Sequence, residues 1–178
     1  MDAIELLRRQ STSAWDWLET IVVDITEEQA NWSPPGTANS IGSTYAHLVV
    51  TADAGFNTQL HGGMPLIATE FKGQVGLSKP FNAAGGWDDW SALDVSWLTL
   101  RGYGRAVHED VIRHVTALVP EDLELKVDMR PWGLEVWKGL DIFDLHGINH
   151  PRLHGGEIAC LKGMQGLEGY TQFSRAFP

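Results

Sequence analysis

The residues best equipped for chemistry stand near the C-terminal end, in the run His146-Gly147-Ile148-Asn149-His150-Pro151-Arg152-Leu153-His154-Gly155-Gly156-Glu157. A helix turns about 100° per residue, so steps of four, four and three place His146, His150, His154 and Glu157 on one face. Neighbours on such a face stand roughly 5 to 6 Å apart at Cβ, close enough for two imidazoles to converge on one ion. Two ligands hold a metal weakly, so a third has to come from another helix. Two other metal motifs are excluded by inspection. His108-Glu109 is followed by Ile112 where the zinc-protease pattern His-Glu-x-x-His needs its second histidine. The Glu-x-x-His pairs of di-iron bundles occur nowhere in the chain.

The elements that must position these groups read as helices. Residues 2 to 23 place Ile4, Leu7, Ala14, Trp15, Leu18 and Val22 on one stripe. Asn31 to Asn39 is dense in turn formers, and Ser40 caps a second helix expected from Ile41 to about Leu60. That helix is apolar on nearly every side, which suits an element buried among neighbours. Residues 61–86 form a long loop punctuated by Gly62, Gly63, Pro65, Gly73, Gly76, Pro80 and Gly85, of the kind that walls or covers a site. A bundle seam follows through Trp90, Leu93, Trp97, Leu100, Gly104, Val107, Val111, His114 and Leu118 in steps of three and four, with Gly104 permitting close helix approach, and Pro120 ends it. After a stretch with Pro131 and Gly133, a fourth amphipathic segment runs from about Lys138 to Met164, where Gly163 and Gly166 close it. Leu123 to Met129 is the one candidate extended piece. The expected fold class is all-α: a single domain over 1–178 forming an up-and-down or crossover four-helix bundle, with long connections and a tail at 165–178.

Composition narrows the function. Thirteen Lys and Arg stand against 23 Asp and Glu, a formal net charge of −10, which disfavours nucleic acid and anionic membrane surfaces as partners. With 43% hydrophobic residues the chain can bury a core without staples. Its lone Cys160 excludes an internal disulfide and a thiolate zinc site, so a cytoplasmic location is expected. Cys160 lies about 120° round the helix from His154 and reads as a small buried hydrophobe. No apolar run has the length of a signal peptide core or a membrane span.

The run Asn149 to Ile158, the earlier opening Ser40-Ile41-Gly42-Ser43-Thr44-Tyr45-Ala46-His47-Leu48 and the turn Trp32-Ser33-Pro34-Pro35-Gly36 together resemble the DinB superfamily of small metal-binding four-helix proteins. Its members typically carry Asn-His-x-x-x-His-Arg-Gly-Gln on the last bundle helix and a His-Leu pair on the second. The resemblance spans about residues 1 to 165. It implies His47, His150 and His154 as a three-histidine site for a divalent metal such as zinc or nickel. Helix periodicity does not select His47; it is simply the one histidine of the second helix.

The sequence departs from the family pattern at Gly155, where Arg is frequent, and at Glu157, where Gln is frequent. Glu157 could orient a ligand histidine or take a proton from bound water, or stand as a solvated acid at the bundle end. Pro151 removes a helical hydrogen bond between the two ligands, so a kink or bulge that still presents both rings is expected. His146 is read as supporting His150 rather than replacing it, and His114 as a core histidine.

Three neutral imidazoles leave a divalent ion with an open position, the arrangement of catalytic rather than structural sites. The resemblance implies two chemistries on a small-molecule substrate. One is thiol transfer or isomerisation with a low-molecular-weight thiol, as in the bacillithiol- and mycothiol-dependent relatives and maleylpyruvate isomerase. The other is metal-dependent hydrolysis. Trp32, Trp87, Trp132 and Trp137 lie beside the connections and could line an apolar mouth or cap the bundle ends. A competing class is a non-catalytic, metal-binding, stress-type protein that dimerises; the apolar first and second helices suit a homodimer, the expected state, as well as a monomeric core.

Overall fold

A computed structural model describes residues 2–80, 87–91 and 93–170. The chain is mostly helical. Helix α1 spans Ala3–Val22, capped by the Asp2 carboxylate on the amide of Glu5 at 2.8 Å. A short α2, Glu27–Asn31, opens on a capping box between Thr26 and Gln29. Helix α3, Ile41–Asp53, starts where Ser40 caps the amide of Ser43, and passes directly into a π-helical segment, Ala54–Leu60.

Short α4, Trp87–Ser91, precedes α5, Trp97–Ala117, and the turn α6, Pro120–Leu123. Strands β1, Lys126–Asp128, and β2, Val136–Lys138, pair antiparallel with Val127 opposite Trp137. Helix α7, Gly139–Ile142, runs through a second π segment, Phe143–Asn149, into α8, His150–Met164.

Among the described residues four long helical segments therefore stand at 3–22, 41–60, 97–117 and 139–164. Helices α1 and α3 each pack against α5 and α8 and scarcely touch one another. The first two long helices thus occupy opposite corners, the crossover version of the bundle. The apolar stripe of α1 turns Ala14, Trp15, Leu18, Ile21 and Val22 inward, and α3 is buried along most of its length, as its composition requires. Gly104 provides the close approach: a Cβ there would stand 2.1 Å from the Tyr45 hydroxyl. Lys162, fully buried, ties α8 to the end of α1 through the Ile21 carbonyl at 2.9 Å and Asp24 at 2.6 Å. No helix among the described residues is long and apolar enough to cross a membrane.

Three features differ from the sequence reading. The seam from Trp90 is not one helix, because the backbone of Val95 is taken by the Asn31 side chain in both directions at 2.9 Å and Leu77 bridges Val95. Helix α5 therefore starts at Trp97, whose amide is capped from α2 by Glu27 at 2.7 Å. The extended piece around Val127 has a partner strand of three residues, half-buried at Trp137 and exposed on either side, too short for an alternating pattern to stand out in the sequence. Cys160 is exposed, not buried, because α8 faces solvent there.

The long loop is fastened more firmly than a free lid. Asp53, 1% exposed at the end of α3, accepts from the amides of Leu66 and Ile67 at 2.8 and 2.9 Å, from Asn57 at 3.0 Å and from the Tyr103 hydroxyl at 2.6 Å. Leu66, Ile67, Phe71, Val75 and Leu77 pack on the core. The loop's end at 81–86 lies outside the described residues, as does the tail beyond 170. The described part of the tail packs Tyr170 on Trp17 at 5.7 Å.

Candidate metal centre

His47 lies in the middle of α3, and His150 and His154 occupy the first and second turns of α8, the helix packed beside it. Pro151 decides where α8 begins. In the π register the amide of residue 151 faces the carbonyl of His146, and proline has no hydrogen to give it. Trp15 supplies one instead, its indole Nε1 donating to that carbonyl at 3.3 Å. The π segment ends at Asn149 and a regular helix restarts with Pro151 in its first turn, where proline is tolerated. Both ligand candidates then follow on one unbroken face.

The rings converge. His47 and His154 stand 5.0 Å apart between centroids, His47 and His150 5.5 Å, and His150 and His154 5.2 Å. Each ring offers one nitrogen to a set lying within 4.8 Å of one another. Burial lowers the proton affinity of His47 to about 4, with the neighbouring His154 adding to the effect. Burial likewise takes His150 down to about 2, helped by His146, His154 and His47. Neutral imidazole is the form that donates a lone pair to a metal.

The surroundings complete the donor set. His154 Nδ1 meets Glu157 Oε2 at 2.7 Å, and His150 Nδ1 lies 3.4 Å from Thr51 Oγ1. His47 Nδ1 is buried with no hydrogen-bond partner, so nothing competes with an ion at that atom. Three uncharged nitrogen donors suit zinc, nickel, copper or iron better than the oxygen-seeking magnesium or calcium. The residues therefore fit a divalent transition metal.

Residues 10–158 match the DinB superfamily. The chain belongs to the DinB superfamily. None of the curated proteins compared with it matches. In this DinB-superfamily chain Gly155 lies against the Trp17 indole: a Cβ there would stand 2.7 Å from Cζ3, so a larger residue requires that ring to shift.

Other histidines take different roles. His146 is 4% exposed in the π segment, its ring 5.1 Å from that of His150 and nearly perpendicular to it, and its Nδ1 lacks a hydrogen-bond partner. It backs His150 by packing. Burial lowers it to about 3 and the nearby His47 adds to this. Gly55, in the other π segment, leaves space for this ring: a Cβ there would stand 2.3 Å from His146 Cδ2. His114 lies elsewhere, stacked between Phe56 and His61 with Nε2 3.3 Å from Asn57 Oδ1.

The indole that borders the site is Trp90, edge-on to His47 at 4.9 Å and held by the Ser43 hydroxyl, which donates to its carbonyl. Trp32, Trp132 and Trp137 are partly buried against the core, and the side chain of Trp87 lies outside the described residues. Sequence reading placed Trp90 on the helix seam. Its distance to His47 depends on α4 being separate from α5, which periodicity concealed.

Proposed function

We propose that the protein is a divalent-metal-dependent enzyme acting on a small molecule, with thiol transfer or isomerisation through a low-molecular-weight thiol as its reaction. The supporting observation is the convergence of three imidazoles from two packed helices, two of them held neutral by burial. When bound, a zinc or nickel ion supplies a Lewis acid with a position left over, which lowers the proton affinity of a thiol or of water.

The chain's own groups do the rest. His47, His150 and His154 hold the ion, Trp90 keeps solvent from the His47 side, and the Glu157 carboxylate engages the outer nitrogen of His154. The apolar indole favours an apolar portion of the substrate on that side.

Elemental analysis of protein purified without added metal, followed by turnover assays with a panel of thiols and electrophiles, tests the reading. Near-stoichiometric zinc or nickel, thiol-dependent turnover, and a loss of at least about a hundredfold in His150→Ala are expected. Turnover with water but no thiol moves the assignment to hydrolysis. Metal without turnover leaves a binding protein, whose self-association light scattering would read. Absence of metal after reconstitution defeats the proposal.

A further inference from the structure

We propose that Glu157 and Thr51 are positioning residues that set the tautomers of two ligand histidines, keeping a hydrogen on Nδ1 of His154 and His150 and turning each Nε2 lone pair toward the ion. The inference deepens the metal-binding reading and rests on it. A neutral histidine has one N–H and one lone pair, and which nitrogen carries which follows from the partner each one meets.

For His154 the partner is an ionised carboxylate, which accepts and never donates. At 2.7 Å, Glu157 Oε2 can be satisfied by Nδ1 only if Nδ1 bears the hydrogen. For His150 the partner is a hydroxyl, which has a single hydrogen. Thr51 sits one turn after His47 on α3, and its hydroxyl faces the backbone carbonyls of His47 at 2.7 Å and Leu48 at 3.1 Å, which take that hydrogen. Toward His150 Nδ1 at 3.4 Å only an oxygen lone pair remains, so there too the ring donates.

Unpartnered histidine favours its hydrogen on Nε2. Both contacts therefore oppose the intrinsic preference and turn the metal-facing nitrogen into a donor of electrons before any ion arrives. Position 157 sharpens the point: a glutamine amide can present either oxygen or nitrogen, whereas a carboxylate presents oxygen alone and adds negative charge that strengthens the ligand.

The test uses the whole chain, labelled with nitrogen-15, in two measurements. Long-range proton–nitrogen correlation spectra of the metal-free protein at pH 8 should show hydrogen on Nδ1 of His150 and His154. Glu157→Ala should move His154 alone toward the Nε2–H form, and Thr51→Val should move His150 alone. Zinc dissociation constants, from competition with a chromophoric chelator, should rise by about 10- to 100-fold in Glu157→Ala and by less in the isosteric Glu157→Gln, which also serves should the alanine variant fold poorly. Wild-type His154 carrying its hydrogen on Nε2, or zinc affinity in both Glu157 variants within about twofold of wild type, would overturn the inference. A wild type that binds no zinc but shows the Nδ1–H tautomers would sink the proposed function and leave the tautomer assignment standing.

Discussion

Single atoms decide much of this site. Gly55 and His146 belong to two different π segments, and the imidazole occupies the volume that a side chain at 55 would fill, with Nε2 only 2.7 Å from an added Cβ. Gly55→Ala should therefore cost about 1 to 3 kcal/mol, the usual range for overpacking, read as a lower guanidinium midpoint at unchanged slope. An unchanged midpoint would mean that the His146 ring can swing away. Because that ring backs His150, the same crowding reaches the candidate ligands through one contact. Trp90 illustrates the converse: its edge contact with His47 exists because a hydroxyl of α3, Ser43, holds its backbone.

The way helices begin and end sets which side chains meet. Proline at 151 would damage an uninterrupted helix, yet the π segment before it moves the interruption to a place where an indole satisfies the orphaned carbonyl. At the other end of the site, α3 stops at Asp53, a buried carboxylate that gathers four donors and pins the start of the long loop. Asp53→Ala strands the Tyr103 hydroxyl and two amides away from water. Each group so stranded costs about 1 to 3 kcal/mol. A loss of at least about 3 kcal/mol in total is expected, with faster hydrogen exchange at Leu66 and Ile67 before global unfolding. Unaltered exchange at those two amides would show that apolar packing alone holds the loop.

Across the molecule, the net charge of −10 leaves few cations to spare, and two of them, Lys162 and Arg101, are buried. Arg101, 4% exposed, donates to both oxygens of Glu19 at 2.9 and 2.7 Å and to the Tyr45 hydroxyl at 2.6 Å, tying α5 to α1 and α3. Burial raises the Glu19 carboxyl, but hydrogen bonds and charge from Arg101 outweigh it, so the net shift is downward. A carboxyl depressed in the folded state contributes stability that is complete above its unfolded value, near 4.3, and is lost as pH falls through the folded one. Urea midpoints should accordingly drop as pH is lowered through and below 4. In Arg101→Met this part of the acid dependence should flatten, while stability at pH 7 falls by about 3 kcal/mol or more because Glu19 is left half-buried without its partner. An identical acid profile in the variant would assign the loss to other carboxylates.

Period and punctuation were enough to reveal four long helical segments, since each buries a stripe whose spacing is set by the helix itself; the boundaries at 3–22, 41–60 and 139–164 follow closely from Ser40, the apolar positions and the closing glycines. The histidine face of α8 was legible for the same reason, a local spacing on one element. His47 was legible only through likeness to a family, because on a helix buried all round no periodicity distinguishes a ligand from core. What tertiary structure alone decided is everything that joins distant elements: the π register around Pro151, the break before Trp97, the exposure of Cys160, the anchoring by Asp53 and the partners of each histidine nitrogen. Those depend on donors and acceptors far apart in the chain, and a sequence pattern records which groups exist but not which of them meet.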